Sequence, residues 1–282
     1  MDLRCIWAWK GSWIIACLAV LWGYARYFEW RHFFAPRREI AMTPADAGME
    51  YEEARFVAED GCLLNGWWLP CPGARGSLIY CHGNASNLGD LPGVLAELRR
   101  LRVNIFAFDY RGYGKSKGIP TEKGVYRDAR AAYEVVRARH GDAENPPVIV
   151  YGHSLGGAIA TQLALDKPVR GLIVEGAFSS AIDIGQQYYP HIPLKWALSY
   201  RFDSASKAGS IRAPKLFAHS PHDDIVPYAI GRKLFEAAAP PKTWVDLPGG
   251  HNESEWSSSE KTWQCLESFV EDALGPAPEK KL

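Results

Sequence analysis

The 282-residue chain has no charge surplus, because 32 Lys and Arg balance 32 Asp and Glu. A basic excess would suggest nucleic acid and an acidic excess a solvating tail; composition points to neither. Six cysteines are present (Cys5, Cys17, Cys62, Cys71, Cys81 and Cys265), but no two form a CxxC pair. No Cys/His cluster has zinc spacing either, so no metal site is expected. Cys81 falls in an apolar run and reads as a small buried hydrophobe, while a Cys62–Cys71 disulfide stays open. No segment repeats at a fixed period, which argues against a solenoid or propeller. A phosphate loop is missing too. The stretch "FDYRGYGKSKG" (108–118) contains Gly-Lys-Ser, but Asp109 stands where that motif requires its first glycine. Its glycines read instead as letting a loop pass close to a site.

What the chain does have is apolar mass. Hydrophobic residues make up 47%, with 11 Trp, 13 Tyr and 11 Phe, enough for one large core or two small ones. The N-terminus is distinct. "GSWIIACLAVLWGYA" (11–25) carries no charge, and tryptophans gather at its edges (Trp7, Trp9, Trp13, Trp22 and Trp30). The expectation is an uncleaved transmembrane helix within an anchor of residues 1–30, ahead of a cleaved signal peptide or a core helix. Basic residues on both flanks leave the side of the membrane open. Residues 31–53 then read as a linker, 54–274 as the catalytic domain and 275–282 as a frayed polar tail.

Within the domain, "ARFVAED" (54–60) and "CLLNGWWLP" (62–70) flank Asp60-Gly61, a hairpin signal. Further strands are expected at 76–81, 103–110, 147–151, 170–175, 214–219 and 242–247. Helices are expected at 91–101, 122–140, 154–165, 227–238 and 259–273. Alternating apolar strands and helices imply a mostly parallel central sheet with helices on both faces. In such sheets the chemistry collects at the carboxyl ends of the strands.

The central motif is Gly152-His153-Ser154-Leu155-Gly156, a G-x-S-x-G between a strand and a helix. A turn this tight strains its middle residue and needs glycine two positions to either side. It would lift the Ser154 hydroxyl to a cleft at a helix N-terminus, where the dipole favours developing negative charge. Serine needs a base, and the base an orienting acid, in the order Ser, Asp or Glu, His. "KLFAHSPHDDIVPY" (215–228) offers Asp223 first and Asp224 second, with Glu175 a remote third. "VDLPGGHNES" (245–254) offers His251; His222 is a poorly placed substitute, and His153 packs beside the nucleophile. The oxyanion hole needs two backbone N–H groups. Leu155 is one, and Asn84 in "LIYCHGNASN" (78–87) the other, with Ala85 as the weaker alternative.

With those residues placed, the chain resembles the α/β-hydrolase superfamily, and within it the membrane-anchored alpha/beta-hydrolase-domain-containing proteins and their bacterial relatives. The resemblance rests on "HGNASN", "DYRGYGKSKG", "GHSLGG", "YYPHIPL", "RFDS", "DDIVP", "GRKLFEAA" and "PGGHNE", over about residues 55–272. It implies a serine hydrolase with Ser154, Asp223 and His251 as triad, and a short lid at 177–212. One departure is "AHSPHDD", where relatives usually read His-Gly before the acid; Ser220 there is expected to alter only the turn. The lid aromatics Tyr188, Tyr189, Trp196, Tyr200 and Phe202 either pack the lid or line an acyl entrance. The expected function is hydrolysis of carboxylic esters or thioesters of lipid-like or acyl substrates. The alternatives are a peptidase on the same fold or a silent membrane-tethered scaffold. No cofactor and no nucleic acid is implied. The expected partners are the substrate and a membrane.

Overall fold

The structure is a computed structural model that describes residues 3–253 and 256–276. Among the described residues, eight strands form one sheet in the order β1-β2-β4-β3-β5-β6-β7-β8. They are β1 (Glu52–Val57), β2 (Leu63–Leu69), β3 (Ser77–Cys81), β4 (Asn104–Asp109), β5 (Val148–His153), β6 (Gly171–Glu175), β7 (Lys215–His219) and β8 (Lys242–Asp246). β2 runs antiparallel to both β1 and β4, and every other pairing is parallel. The expected hairpin joins β1 to β2. Gly61 takes φ +81°, and its N–H donates to the Ala58 carbonyl at 2.8 Å.

The inner parallel strands β3, β6 and β7 are buried on both faces, which is why they read as largely apolar runs, whereas the edge strand β8 is partly exposed. Alternation along β5 sends Val148 and Val150 into one core, and Ile149 and Tyr151 into the other. The first core is covered by α3 (Glu122–Arg139), α4 (Leu155–Asp166) and α8 (Tyr228–Ala237). The second lies under α2 (Pro92–Leu98) and α9 (Glu260–Leu274). α3 starts where Thr121 accepts from the Gly124 N–H, and it buries a stripe of Val125, Ala129, Ala132, Tyr133 and Val136.

From β3 the chain moves to β4 on one side, then crosses back to β5 on the other side of β3. This reversal opens a crevice at the carboxyl ends of β3 and β5, the place where open α/β sheets bind ligands. Residues 177–212 carry three short helices, α5 (Ala181–Tyr188), α6 (Leu194–Ala197) and α7 (Ser204–Ala208). Of the lid aromatics, Phe202 is fully buried, and its ring neighbours include Tyr200 and Tyr126. Tyr188, Tyr189 and Trp196 are exposed.

The N-terminal expectation needs correction. α1 (Leu3–Phe33) is a helix, but among the described residues no helix is long and apolar enough to cross a membrane. The described part of α1 is interrupted by charge, because Arg26, Glu29 and Arg31 follow the uncharged stretch 11–25 within the same helix. The expected transmembrane helix, and anchoring through it, therefore lack support among the described residues. The far end of α1 docks on the protein instead. Glu29, only 4% exposed, accepts from the lid amides of Ser199 (2.5 Å) and Tyr200 (2.7 Å). The Trp30 indole donates to the Pro120 carbonyl at 3.1 Å. The side chains of Arg4, Cys5, Trp7, Trp9 and Lys10, and the expected tail from residue 277 onward, lie outside the described residues.

Cys62 and Cys71 are both free thiols, and Cys81 is fully buried in β3. The loop at 108–118 is structural. Ser116 Oγ accepts from the Asn65 N–H and donates to the Asp109 carbonyl. Arg111 forms close ion pairs with buried Asp128 (2.7 Å) and with Asp60 (2.8 Å).

Candidate active site

The turn between β5 and α4 holds Ser154 at φ +54°, ψ −120°, a conformation rare for a residue with a side chain. Its glycine neighbours are obligatory. A Cβ at Gly152 would strike the Gly156 carbonyl, and one at Gly156 would strike the Cys81 carbonyl of β3. Gly157 meets Ala177 in the same way, which lets α4 lie close to the chain leaving β6. Ser154 is thus fixed at the mouth of the crevice, with the Leu155 amide at the first position of α4.

β7 and β8 end beside this turn, and their loops bring in the carboxylate of Asp223 and the imidazole of His251. Ser154 Oγ donates to His251 Nε2 at 2.9 Å, and His251 Nδ1 donates to Asp223 Oδ2 at 2.7 Å. The direction follows from chemistry, because an ionised carboxylate only accepts. All three side chains are buried. Burial pushes the Asp223 carboxyl up. Hydrogen bonds from His219, His251 and the Val226 amide overcome this and hold it well below the usual carboxylate range. Asp223 is therefore ionised wherever the protein is folded near neutral pH. Asp224 is exposed and serves differently: its Oδ1 accepts from the His251 amide at 3.3 Å.

Glu175 does not compete for the acid role. Its carboxylate accepts from the Tyr151 hydroxyl and, at 3.3 Å, from the Trp256 indole. His222 is exposed. His153, pushed by burial down to about 4, stays neutral and donates from Nε2 to the His251 carbonyl at 3.1 Å, holding the base's loop. The loop after β3 completes the cleft. A Cβ at Gly83 would come 3.5 Å from Ser154 Cβ, and Asn84 lines the cavity while Ala85 turns left-handed at φ +55°. The cleft encloses about 870 Å³ and is lined by Asn84, Ser154, Glu175, Ile225, His251 and Trp256, among others. None of its lining residues comes from the lid segment 177–212.

Two contributors escaped the sequence reading. His219 Nε2 donates to the Val226 carbonyl at 2.8 Å and lies 3.3 Å from Asp223 Oδ2, a second imidazole against that carboxylate. Its place at the end of β7, four residues before Asp223, was the available signal. Ser220 does more than alter a turn. Its Oγ accepts from the His222 amide at 3.0 Å and donates to the Gly249 carbonyl, tying the acid's loop to the base's loop.

Among known proteins, the serine aminopeptidase family model matches residues 72–206. An uncharacterized protein of Mycobacterium tuberculosis is 36% identical over 215 residues, covering 75% of this chain and 76% of that one. The alpha/beta hydrolase domain-containing protein WAV2 of Arabidopsis thaliana is 31% identical over 268 residues, covering 86% and 85%. The esterase Pf2001 of Pyrococcus furiosus shares the fold, with a TM-score of 0.71 at 20% identity over 85% of this chain and 99% of that one. The strained serine turn, the sheet order and this sequence similarity agree: the chain belongs to the α/β-hydrolase superfamily.

Proposed function

We propose that the protein is a serine hydrolase that cleaves carboxylic esters or thioesters through an acyl-enzyme. The single observation that carries this reading is the continuous path of hydrogen bonds from Ser154 through His251 to ionised Asp223. In this reading Ser154 Oγ attacks the carbonyl carbon while His251 Nε2 takes the hydroxyl proton. Asp223 holds the ring and stabilises the imidazolium. The negative charge arriving on the carbonyl oxygen is met by the amides of Leu155 and Asn84, at the positive end of α4. His251 then returns its proton to the departing alcohol or thiol. Water, activated by the same base, releases the acid and restores Ser154.

The esterase named above supports ester chemistry by shared fold. The family model's name favours a second reading, in which the scissile bond is an amide of a small aminoacyl substrate. The test is turnover of p-nitrophenyl esters of graded length, acyl thioesters and aminoacyl anilides, by the full chain and by Ser154→Ala. The proposal expects ester or thioester hydrolysis, lost by about 10⁴-fold or more in Ser154→Ala at unchanged melting temperature. Turnover of anilides alone would move the assignment to the peptidase reading. Equal activity in Ser154→Ala would remove Ser154 from the chemistry.

A further inference from the structure

The reading above uses the main chain of Asn84 and leaves its side chain without a task. That side chain is held by two donors from distant parts of the sequence. Asn84 Oδ1 accepts from the Tyr113 hydroxyl at 2.8 Å and from the Ala35 amide at 3.0 Å. A backbone N–H can only donate, so the carboxamide oxygen must face Ala35 and the orientation of the group is fixed. Both lone pairs of that oxygen are engaged.

Neither donor is free to move. Tyr113 is fully buried, edge-on to Tyr110 at 5.8 Å and to His82 at 5.4 Å. Ala35 follows fully buried Phe34, whose ring meets Tyr200 at 5.4 Å and Phe202 at 6.0 Å. The strand of chain beyond it is stitched to the same loops. The Arg37 carbonyl accepts from the Gly114 amide (2.8 Å) and from Asn87 Nδ2 (3.1 Å), and the Glu39 carbonyl accepts from Asn87 Nδ2 (2.6 Å). The turn that carries Asn84 is therefore gripped at both ends, at Asn84 and at Asn87, by the segment that follows α1.

We propose that Tyr113 and the Ala35 amide are positioning groups of the oxyanion hole. By pinning the Asn84 carboxamide they fix the peptide that would donate to the developing oxyanion, so the segment after α1 belongs to the catalytic apparatus. The proposal rests on the serine-hydrolase reading. The carbonyl side of that peptide is held separately, by His82 Nδ1 donating to the Gly83 oxygen at 2.8 Å, so the Asn84 carboxamide supplies the grip on its other side, next to Ala85 in left-handed space. An oxyanion donor acts only when preorganised, and it acts on the transition state more than on bound substrate. Loosening it therefore lowers kcat and spares KM.

The test is the full chain carrying Tyr113→Phe, Asn84→Ala or both, assayed on a p-nitrophenyl ester with melting temperature measured alongside. Each single variant is expected to lose about tenfold or more in kcat with KM within about twofold. The double variant is expected to lose no more than Asn84→Ala alone, because both changes cut one linkage. Asn84 is partly exposed, so Asn84→Ala carries the test if Tyr113→Phe folds poorly. Wild-type kcat in a folded single variant, an effect confined to KM, or losses that multiply in the double variant would each overturn the proposal while wild-type hydrolysis stands. A wild-type protein inert toward every ester and thioester would sink the hydrolase reading and this proposal together.

Discussion

At the scale of single residues, the site depends on one strained position and one uneven pair of carboxylates. Ser154 sits at φ +54°, a cost of about 1–3 kcal/mol that the β5–α4 packing must offset. The sequence exposes this strain indirectly, through glycines at 152 and 156 that only a tight turn requires. It distinguishes Asp223 from Asp224 by order alone, and the structure supplies the cause. The Asp223 carboxylate is enclosed and faces His251 and His219, whereas Asp224 is exposed and accepts from the His251 amide. Asp223→Asn should therefore lower kcat by about 10³–10⁴, and Asp224→Asn by less than about tenfold. Ester turnover by the two variants checks this ranking, and the reverse order would transfer the acid role to Asp224. What the sequence could not disclose were the partners whose meaning depends on folding: Ser220 against Gly249, and Tyr113 against Asn84.

At the scale of elements, the strands and long helices were legible because each has one dominant period. The central strands β3, β5 and β6 are nearly continuous apolar runs, and α3 shows an apolar stripe beneath a threonine cap. The lid was not legible as helices, since α6 and α7 span only four and five residues and no period can establish itself. The transmembrane expectation for α1 lacks support among the described residues, and the docking of its far end, Glu29 meeting two lid amides, is a tertiary contact with no sequence signature. The end of β4 offers a test of how elements are joined. Asp109 is fully buried and accepts from the Leu88 amide of the loop after β3. Burial pushes its carboxyl up to about 7, and its facing neighbour His82, driven by burial down to about 4, is uncharged near neutrality. The folded state thus keeps a proton that the unfolded chain releases near pH 4. By linkage this contribution to stability is complete below pH 4, falls as pH rises toward 7 and is flat beyond. Asp109→Asn, which retains an acceptor for Leu88, should gain on the wild type as pH rises. Melting temperatures at pH 4.5 and pH 8 check this, and a constant difference between the two proteins would contradict it.

At the scale of the whole molecule, two cores lie on opposite faces of one sheet, and four loops at the carboxyl ends of its strands bring together the candidate site. The loops after β3, β5, β7 and β8 deliver Asn84, Ser154, Asp223 and His251. The segment joining α1 to β1 binds the lid, through Phe34, and the loop after β3 into the same body. The fold, the sheet and the three convergent side chains were readable from the order of motifs, because the superfamily's topology ties that order to position. The dependence of the oxyanion loop on the N-terminal segment was not readable, because it arises from main-chain groups with no sequence signature. The account as a whole stands on Ser154 being a nucleophile activated by its neighbours. The most direct measurement is mass spectrometry of the folded full chain after treatment with a fluorophosphonate. The account predicts a single stoichiometric adduct on Ser154 that His251→Ala suppresses. An unmodified Ser154, or an adduct elsewhere with Ser154 untouched, would contradict it.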